Sequence, residues 1–247
     1  MSSRQLSFEI VPSDAADASL CDQLFALMRR CYDHVSRSRF EDDLAEKDCL
    51  ILLRDATGTP RGFSTQQICQ RDWDGRQIQV LFSGDTIIEP AFWGSPELIK
   101  GWCAVAAHAM SREPDRALYW FLISKGYRTY LYLPLFFREF YPQRDSTASG
   151  DCRLLLNDLA SEKFGSAFDS ASGIVRFPQS LGQLVPELAG IPDARHDDPH
   201  VQFFLARNPG YARGDELACL TEVSLENAHG LGKRWLKRAL MNHPQNV

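Results

Sequence analysis

Residues 6–12, LSFEIVP, alternate apolar and polar side chains and stop at Pro12, a pattern that predicts a first strand. The next stretch changes period. Leu20, Leu24, Leu27, Met28 and Cys31 fall on one face of a helix that Asp17 or Ser19 can cap. A more polar helix follows in SRSRFEDDLAEKD, with Phe40 and Leu44 four residues apart. Residues 49–90 read as three consecutive strands joined by DATGTP and DWDG, so they form an antiparallel meander. In WGSPELIKGWCAVAAHAMSREP, Ser95 is placed to cap a helix, Pro96 to start it, and Pro114 to follow its end. RALYWFLIS is a continuous apolar run of strand length, as expected of a central, doubly covered strand. The aromatic stretch GYRTYLYLPLFFREFYP is expected to be helical, with Pro134 starting its second half or kinking it.

Beyond Pro142 the pattern loosens. RDSTASGD is a polar linker, CRLLLNDLASEKFG a helix, and 170–200 a loop-rich stretch. HVQFFLARNPGYARGDELACLTEVS reads as two strands, 200–209 and 216–224, around a Pro-Gly/Arg-Gly turn, and a basic helix closes the chain. The pattern divides the chain into a core at 1–142, an insertion or subdomain at 143–199, and late strands with a terminal helix at 200–247 that complete the core. No internal repeat is visible.

Composition narrows the function classes. The 247 residues can bury a large core without metals or disulfides. Seven cysteines are scattered without a CxxC pair, and the first residues lack an apolar signal-peptide core, so the expected setting is a reducing cytoplasm. A net charge of −5 argues against a nucleic-acid binder. Ten aromatic residues crowd into 118–142. Lys125, Arg128, Arg138 and Glu139 interrupt that segment, which is therefore too broken to span a bilayer needing about 20 apolar residues.

The order β-α-α-β-β-β-α-β-α resembles the GCN5-related N-acetyltransferase (GNAT) superfamily, an α/β fold with a mixed sheet (α+β) to which this chain adds a C-terminal extension. QVLFSGDTIIEP is similar to the family's fourth strand, AFWGSPEL to its turn into the third helix, and RALYWFLIS to its fifth strand. The resemblance implies an acyltransferase moving an acyl group from a thioester donor to a small-molecule amine. No permanently bound cofactor is implied; acyl-CoA or an acyl-carrier protein would be the cosubstrate. In that family the acyl-pantetheine arm lies between two splayed strands, and its diphosphate sits at the start of the third helix, where free amides favour anions. Trp93, Gly94 and Ser95 occupy that place here, and Ser83, Ser124 and Lys125 flank the expected gap. The usual Gln/Arg-x-x-Gly-x-Gly/Ala loop is reduced to one glycine and no arginine, while Pro96 removes an amide and Glu97 adds a negative charge. Three readings follow: CoA binds differently, the donor is carried on a protein, or the chain is a non-catalytic ligand- or protein-binding member.

The resemblance places the base that deprotonates the amine on the fourth strand, where Asp85 stands behind Ser83 and Gly84, a pair suited to a bulge. An edge carboxylate paired with arginine is the structural alternative. The family's thiolate partner is a helical tyrosine. Leu135 or Phe136 falls on that position here, so Tyr130 and Tyr132 are candidates if the helix is displaced, with core packing the reading otherwise expected of each. His196, Asp197, Asp198 and His200 cluster, but Pro199 prevents one-face presentation and no third histidine or cysteine adjoins, so no metal site is expected. Unpaired meander edges are compatible with a homodimer.

Overall fold

The computed structural model describes residues 5–145, 150–178 and 182–242. Its strands are β1 (Leu6–Pro12), β2 (Tyr32–Asp33), β3 (Cys49–Asp55), β4 (Pro60–Trp73), β5 (Arg76–Ile88), β6 (Ala117–Ser124), β7 (Phe168–Asp169), β8 (Ile174–Val175), β9 (Gln183–Leu184) and β10 (Glu216–Glu222). Its helices are α1 (Ala18–Cys31), α2 (Arg37–Ala45), α3 (Glu97–Arg112), α4 (Tyr127–Tyr130), α5 (Tyr132–Phe136), α6 (Gly150–Phe164), α7 (Pro186–Ala189), α8 (Pro199–Arg207) and α9 (Gly230–Asn242). Eight strands form one mixed sheet in the order β1-β3-β4-β5-β6-β10-β8-β7, and β2 pairs with β9 apart from it. This is a mixed α/β fold with the expected element order through β6: an antiparallel meander from β3 to β5, then a parallel β5–β6 pair reached through α3.

Local signals account for the frame. Asp17 accepts a hydrogen bond from the Leu20 amide, and α1 buries the five residues that share its apolar face. The β4–β5 hairpin closes through Asp74 and Gly75, both at positive φ (50° and 71°), as a two-residue primed turn requires. At α3 the helix starts one residue later than the sequence pattern suggests. Pro96 takes the cap position, and Ser95 Oγ accepts from the Glu97 amide at 3.4 Å.

The sheet is covered on both faces, in step with its period of two. Leu118, Trp120 and Leu122 of β6 pack toward α3, together with Leu81, Ile51 and Leu53. Phe121 packs on the opposite side with Val80, Phe82 and the α6 residues Leu155, Leu156 and Leu159. Farther along that second side, α1 and α2 cover Leu50, Leu52 and Phe63. Thus α6, which precedes β10 in the chain, shares one face with α1 and α2, and a gap remains between them. The seven cysteines are free, and no described helix is long and apolar enough to cross a membrane.

Two expected elements differ. Residues 200–209 are not a strand: Asp198 accepts from the amides of His200 and Val201, Pro199 occupies the first turn, and α8 runs to Arg207. The aromatic segment is not one long helix. Its helical part ends at Phe136. Phe137 turns extended and bridges Ala228, and Tyr141 bridges Leu220, so aromatic side chains fill the space beside β10 and α9.

Candidate functional site

The site begins with one extra residue. Down to Ser83, β5 pairs with β6 in parallel register, Ile78 opposite Ala117 through Ser83 opposite Leu122. On its other side, Gln66 faces Ser83 but Ser64 faces Thr86, so β5 carries a bulge across Gly84 and Asp85. Two consequences follow. Pairing with β6 stops, and the two strands part beyond Ser83. The alternation also inverts: Val80 and Phe82 point toward α6, yet after the bulge Ile87 points toward α1 on that same side. Asp85 shares the parity of Ile87 and opens into the gap between α1, α2 and α6. An unbulged strand would have turned it toward α3. Gly84 is required here, since a Cβ would lie 2.7 Å from Thr65 Oγ1.

Asp85 lines a cavity of about 730 Å³ with Tyr32, Lys125, Glu216, Lys163 and the aromatic rings of Phe82, Phe164 and Phe177. Burial lifts its carboxyl to about 7; nearby Asp43 and Glu216 add to the rise, and Lys125 and Lys47 oppose it. Lys125 Nζ lies 3.4 Å from Glu216 Oε1 and 5.2 Å from the centre of the Tyr32 ring. Glu216 is 8 % exposed, and burial raises its pKa against the pull of Lys125. Burial, then Asp85 and Glu216, push the Tyr32 phenol up as well. At neutral pH the group best placed to exchange a proton is therefore Asp85.

A second cavity, about 310 Å³, lies beyond the parted strands. Tyr32, Thr86 and Thr129 line both, so the two meet at the bulge. Its wall includes β5 beyond its pairing with β6, Trp93 and Gly94 from the turn into α3, residues 126–129, Leu131 and Tyr132. The charged residues of this wall are Arg128 and Arg195; it holds no Asp or Glu. The Arg128 guanidinium lies 3.8 Å from the Trp93 ring centre and 4.6 Å from that of Tyr127, and one of its N–H groups donates to the Leu188 carbonyl. Trp93 is pinned by its indole N–H on the Ile88 carbonyl at 2.9 Å. Gly94, at φ 86°, has open space where a Cβ would stand. Burial, with Arg195 nearby, lowers the Arg128 pKa, the mark of a desolvated cation.

The sequence candidates separate on this geometry. Asp85 and Lys125 meet in the first cavity, Trp93 and Gly94 in the second. Ser95 belongs to the start of α3. Ser83 accepts from the Trp120 indole and donates to Gln66 Oε1, an internal bond that braces the last paired residue of β5. Ser124 is fully buried on the α3 side of β6, one residue out of phase with Lys125. Tyr132 lines the second cavity, and burial lifts its phenol to about 12. Tyr130 does not reach either cavity: its hydroxyl donates to the Pro142 carbonyl at 3.0 Å, and its ring packs on Phe140, Phe203 and Phe204. Of the histidine–aspartate cluster, Asp198 is a helix cap, and no group of metal-ligating side chains stands among the described residues. Sequence reasoning missed Tyr32, Glu216, Lys163 and Arg128. Glu216 stands before the apolar run LACL, but no spacing marks it as a site residue.

No family model and no curated protein matches this sequence. Solved structures with partial similarity include a probable N-acyltransferase from Enterococcus faecalis V583, at 13 % identity over 54 % of this chain and 33 % of that one, with a TM-score of 0.40. The GNAT-family N-acetyltransferase YhbS from Escherichia coli, in complex with CoA, matches at 15 % identity, 49 % and 64 % coverage, and a TM-score of 0.34. Escherichia coli ElaA matches at 15 % identity over 58 % of this chain and 95 % of its own, with a TM-score of 0.36. This chain spans about a third of the first of these proteins. No residue role is carried across from them.

Proposed function

We propose that this protein transfers an acyl group from acyl-CoA to a small-molecule amine. The observation that carries the reading is the β5 bulge, which turns a desolvated carboxylate into one cavity exactly where the sheet opens into another. The donor's pantetheine arm fits the opening, where β5 beyond Ser83, paired with β4 but no longer with β6, offers it a strand-like edge. Its phosphates fit the acid-free wall around Arg128, an arginine supplied from across the groove in place of the one the turn into α3 lacks. The amine approaches from the larger cavity as an ammonium ion and passes its proton to Asp85, whose pKa near 7 suits a base at neutral pH. The freed nitrogen attacks the thioester carbonyl carbon, and the C–S bond breaks as the amide forms. Tyr132, held neutral by burial, donates a hydrogen bond to the departing sulfur. With its pKa about 12 against about 8.5 for a thiol, a full proton transfer from it would cost about 5 kcal/mol. The proton shed by the acylated nitrogen therefore ends on the thiolate.

The test combines thermal-shift and thiol-release assays with acetyl-CoA, longer acyl-CoAs and acyl-carrier proteins, repeated on Arg128→Gln. Stabilisation by acyl-CoA, weakened about tenfold in the variant while an acyl-pantetheine lacking the nucleotide binds both proteins alike, supports the reading. Stabilisation only by an acyl-carrier protein moves the donor to that class. No response to any thioester returns the chain to the non-catalytic alternative.

A further inference from the structure

The larger cavity has two chemically different ends. At the strand opening stand Asp85, Lys125 and Glu216, already described. The far end is built by α2, α6 and the segment after β8, and its floor is aromatic. Phe164 packs edge-on against Phe82 at 6.3 Å and Phe177 at 6.2 Å. Two cations lie over this floor. Lys163 Nζ is 4.4 Å from the Phe82 ring centre, and the Arg39 guanidinium 5.8 Å from that of Phe177.

Neither cation has an acidic partner among the described residues. Lys163 is half-buried and donates to the neutral Gln67 side chain at 3.2 Å. Burial and then Lys47 lower its pKa, against the opposing pull of Glu46 and Asp43. Asp43 is engaged by Lys47 at 2.7 Å. Asp42 and Glu46, the other acids that α2 and its end bring to this lining, are exposed. A half-buried lysine beside a second lysine, offset only by one solvent-exposed acid and one already paired, gains when a further anion joins it.

We propose that the acceptor is an amine bearing an anionic group, a carboxylate or a phosphate, separated from its nitrogen, and that Lys163 and Arg39 bind that group at the far end of the cavity. The inference rests on the acyl-transfer reading for the role of the nitrogen, while the anion site stands on its own contacts. The aromatic floor between the two ends favours an acceptor whose middle is apolar or a sugar-like ring face.

The experiment measures direct binding by ligand-observed NMR for two matched pairs: 6-aminohexanoate against hexylamine, and 2-aminoethyl phosphate against ethylamine. The wild type is expected to bind the anionic member of at least one pair about tenfold more tightly than its neutral counterpart. That preference is expected to fall below about threefold in Lys163→Gln and to shrink in Arg39→Gln. Arg39 is exposed, so its substitution leaves the fold intact and keeps the test decisive if Lys163→Gln unfolds. Equal binding within both pairs, a preference that survives both substitutions, or no binding by any of the four amines overturns the proposal. Thiol release with acyl-CoA is followed separately. Anion preference without turnover counts against acyl transfer alone, and turnover without anion preference counts against this inference alone.

Discussion

Replacing Asp85 by Asn separates its chemistry from its cost. The carboxyl titrates near 7 in the folded protein against an ordinary 3.8. Each pKa unit corresponds to 1.36 kcal/mol, so the folded state gives up about 4 kcal/mol to hold the charged form. Because the folded value lies above the unfolded one, the folded state keeps the proton longer. The cost is absent below about pH 4, grows as pH rises, and is complete above about pH 7. Asn removes the charge but nearly preserves the shape. Urea titrations of both proteins are therefore expected to coincide near pH 4 and to diverge until the variant is more stable by up to about 4 kcal/mol at pH 8. For a chain of this size that corresponds to a melting point roughly 8–16 °C higher, an upper limit because relaxation around the charge reduces it. Over the same range, kcat/KM of the wild type should rise through an inflection near 7 and be lost in the variant. Stability curves that stay parallel from pH 4 to 8 would refute the desolvation argument. A variant with full turnover would remove Asp85 as the base.

The two tyrosines of the aromatic segment should part company on conservative substitution. Tyr130→Phe leaves the buried Pro142 carbonyl without its donor and is expected to cost about 1 kcal/mol in urea unfolding with turnover unchanged. Tyr132→Phe should lower kcat about 10²-fold with stability nearly unchanged; equal turnover in both variants would remove Tyr132 from the reaction. Asp198→Ala should cost about 1 kcal/mol by uncapping α8, and an unchanged urea midpoint would refute the cap.

Much of the frame was legible because its signals are local. The face of α1 could be counted off in steps of three and four, the β4–β5 turn announced itself as Asp-Gly, and the apolar run at 117–124 fitted a strand covered on both sides. The bulge before Asp85 was a local reading too, since Ser83 and Gly84 suit one, whereas the choice of Asp85 itself came from the resemblance. The α8 error arose between two local signals: a β-rich composition, VQFF, and an Asp-Pro start, of which the second prevailed. Tyr130 and Tyr132, two residues apart on a helical path, face opposite sides, and which side meets the core depends on how the segment packs on its neighbours. Glu216, Lys163, Tyr32 and Arg128 were not legible as site residues. Each owes its role to neighbours far along the chain, and no spacing encodes that Lys163 would lie over Phe82 or Arg128 over Trp93.

The parting of β5 from β6 also bears on how the sheet avoids sticking to other sheets. Unpaired strand edges invite other chains to add on, and the outer margins here are blunted: one ends in the two-residue β7, the other in β1, which carries Glu9 and finishes at Pro12. Residues 84–88 form an edge of another kind, enclosed within the sheet and walled by α3 and the aromatic segment. A slender, flexible ligand can slide along such an edge. A β-strand of a second protein, with side chains alternating to both sides, would meet α3 and the aromatic segment there. This unmatched edge of the sheet is thus turned toward the protein's own interior.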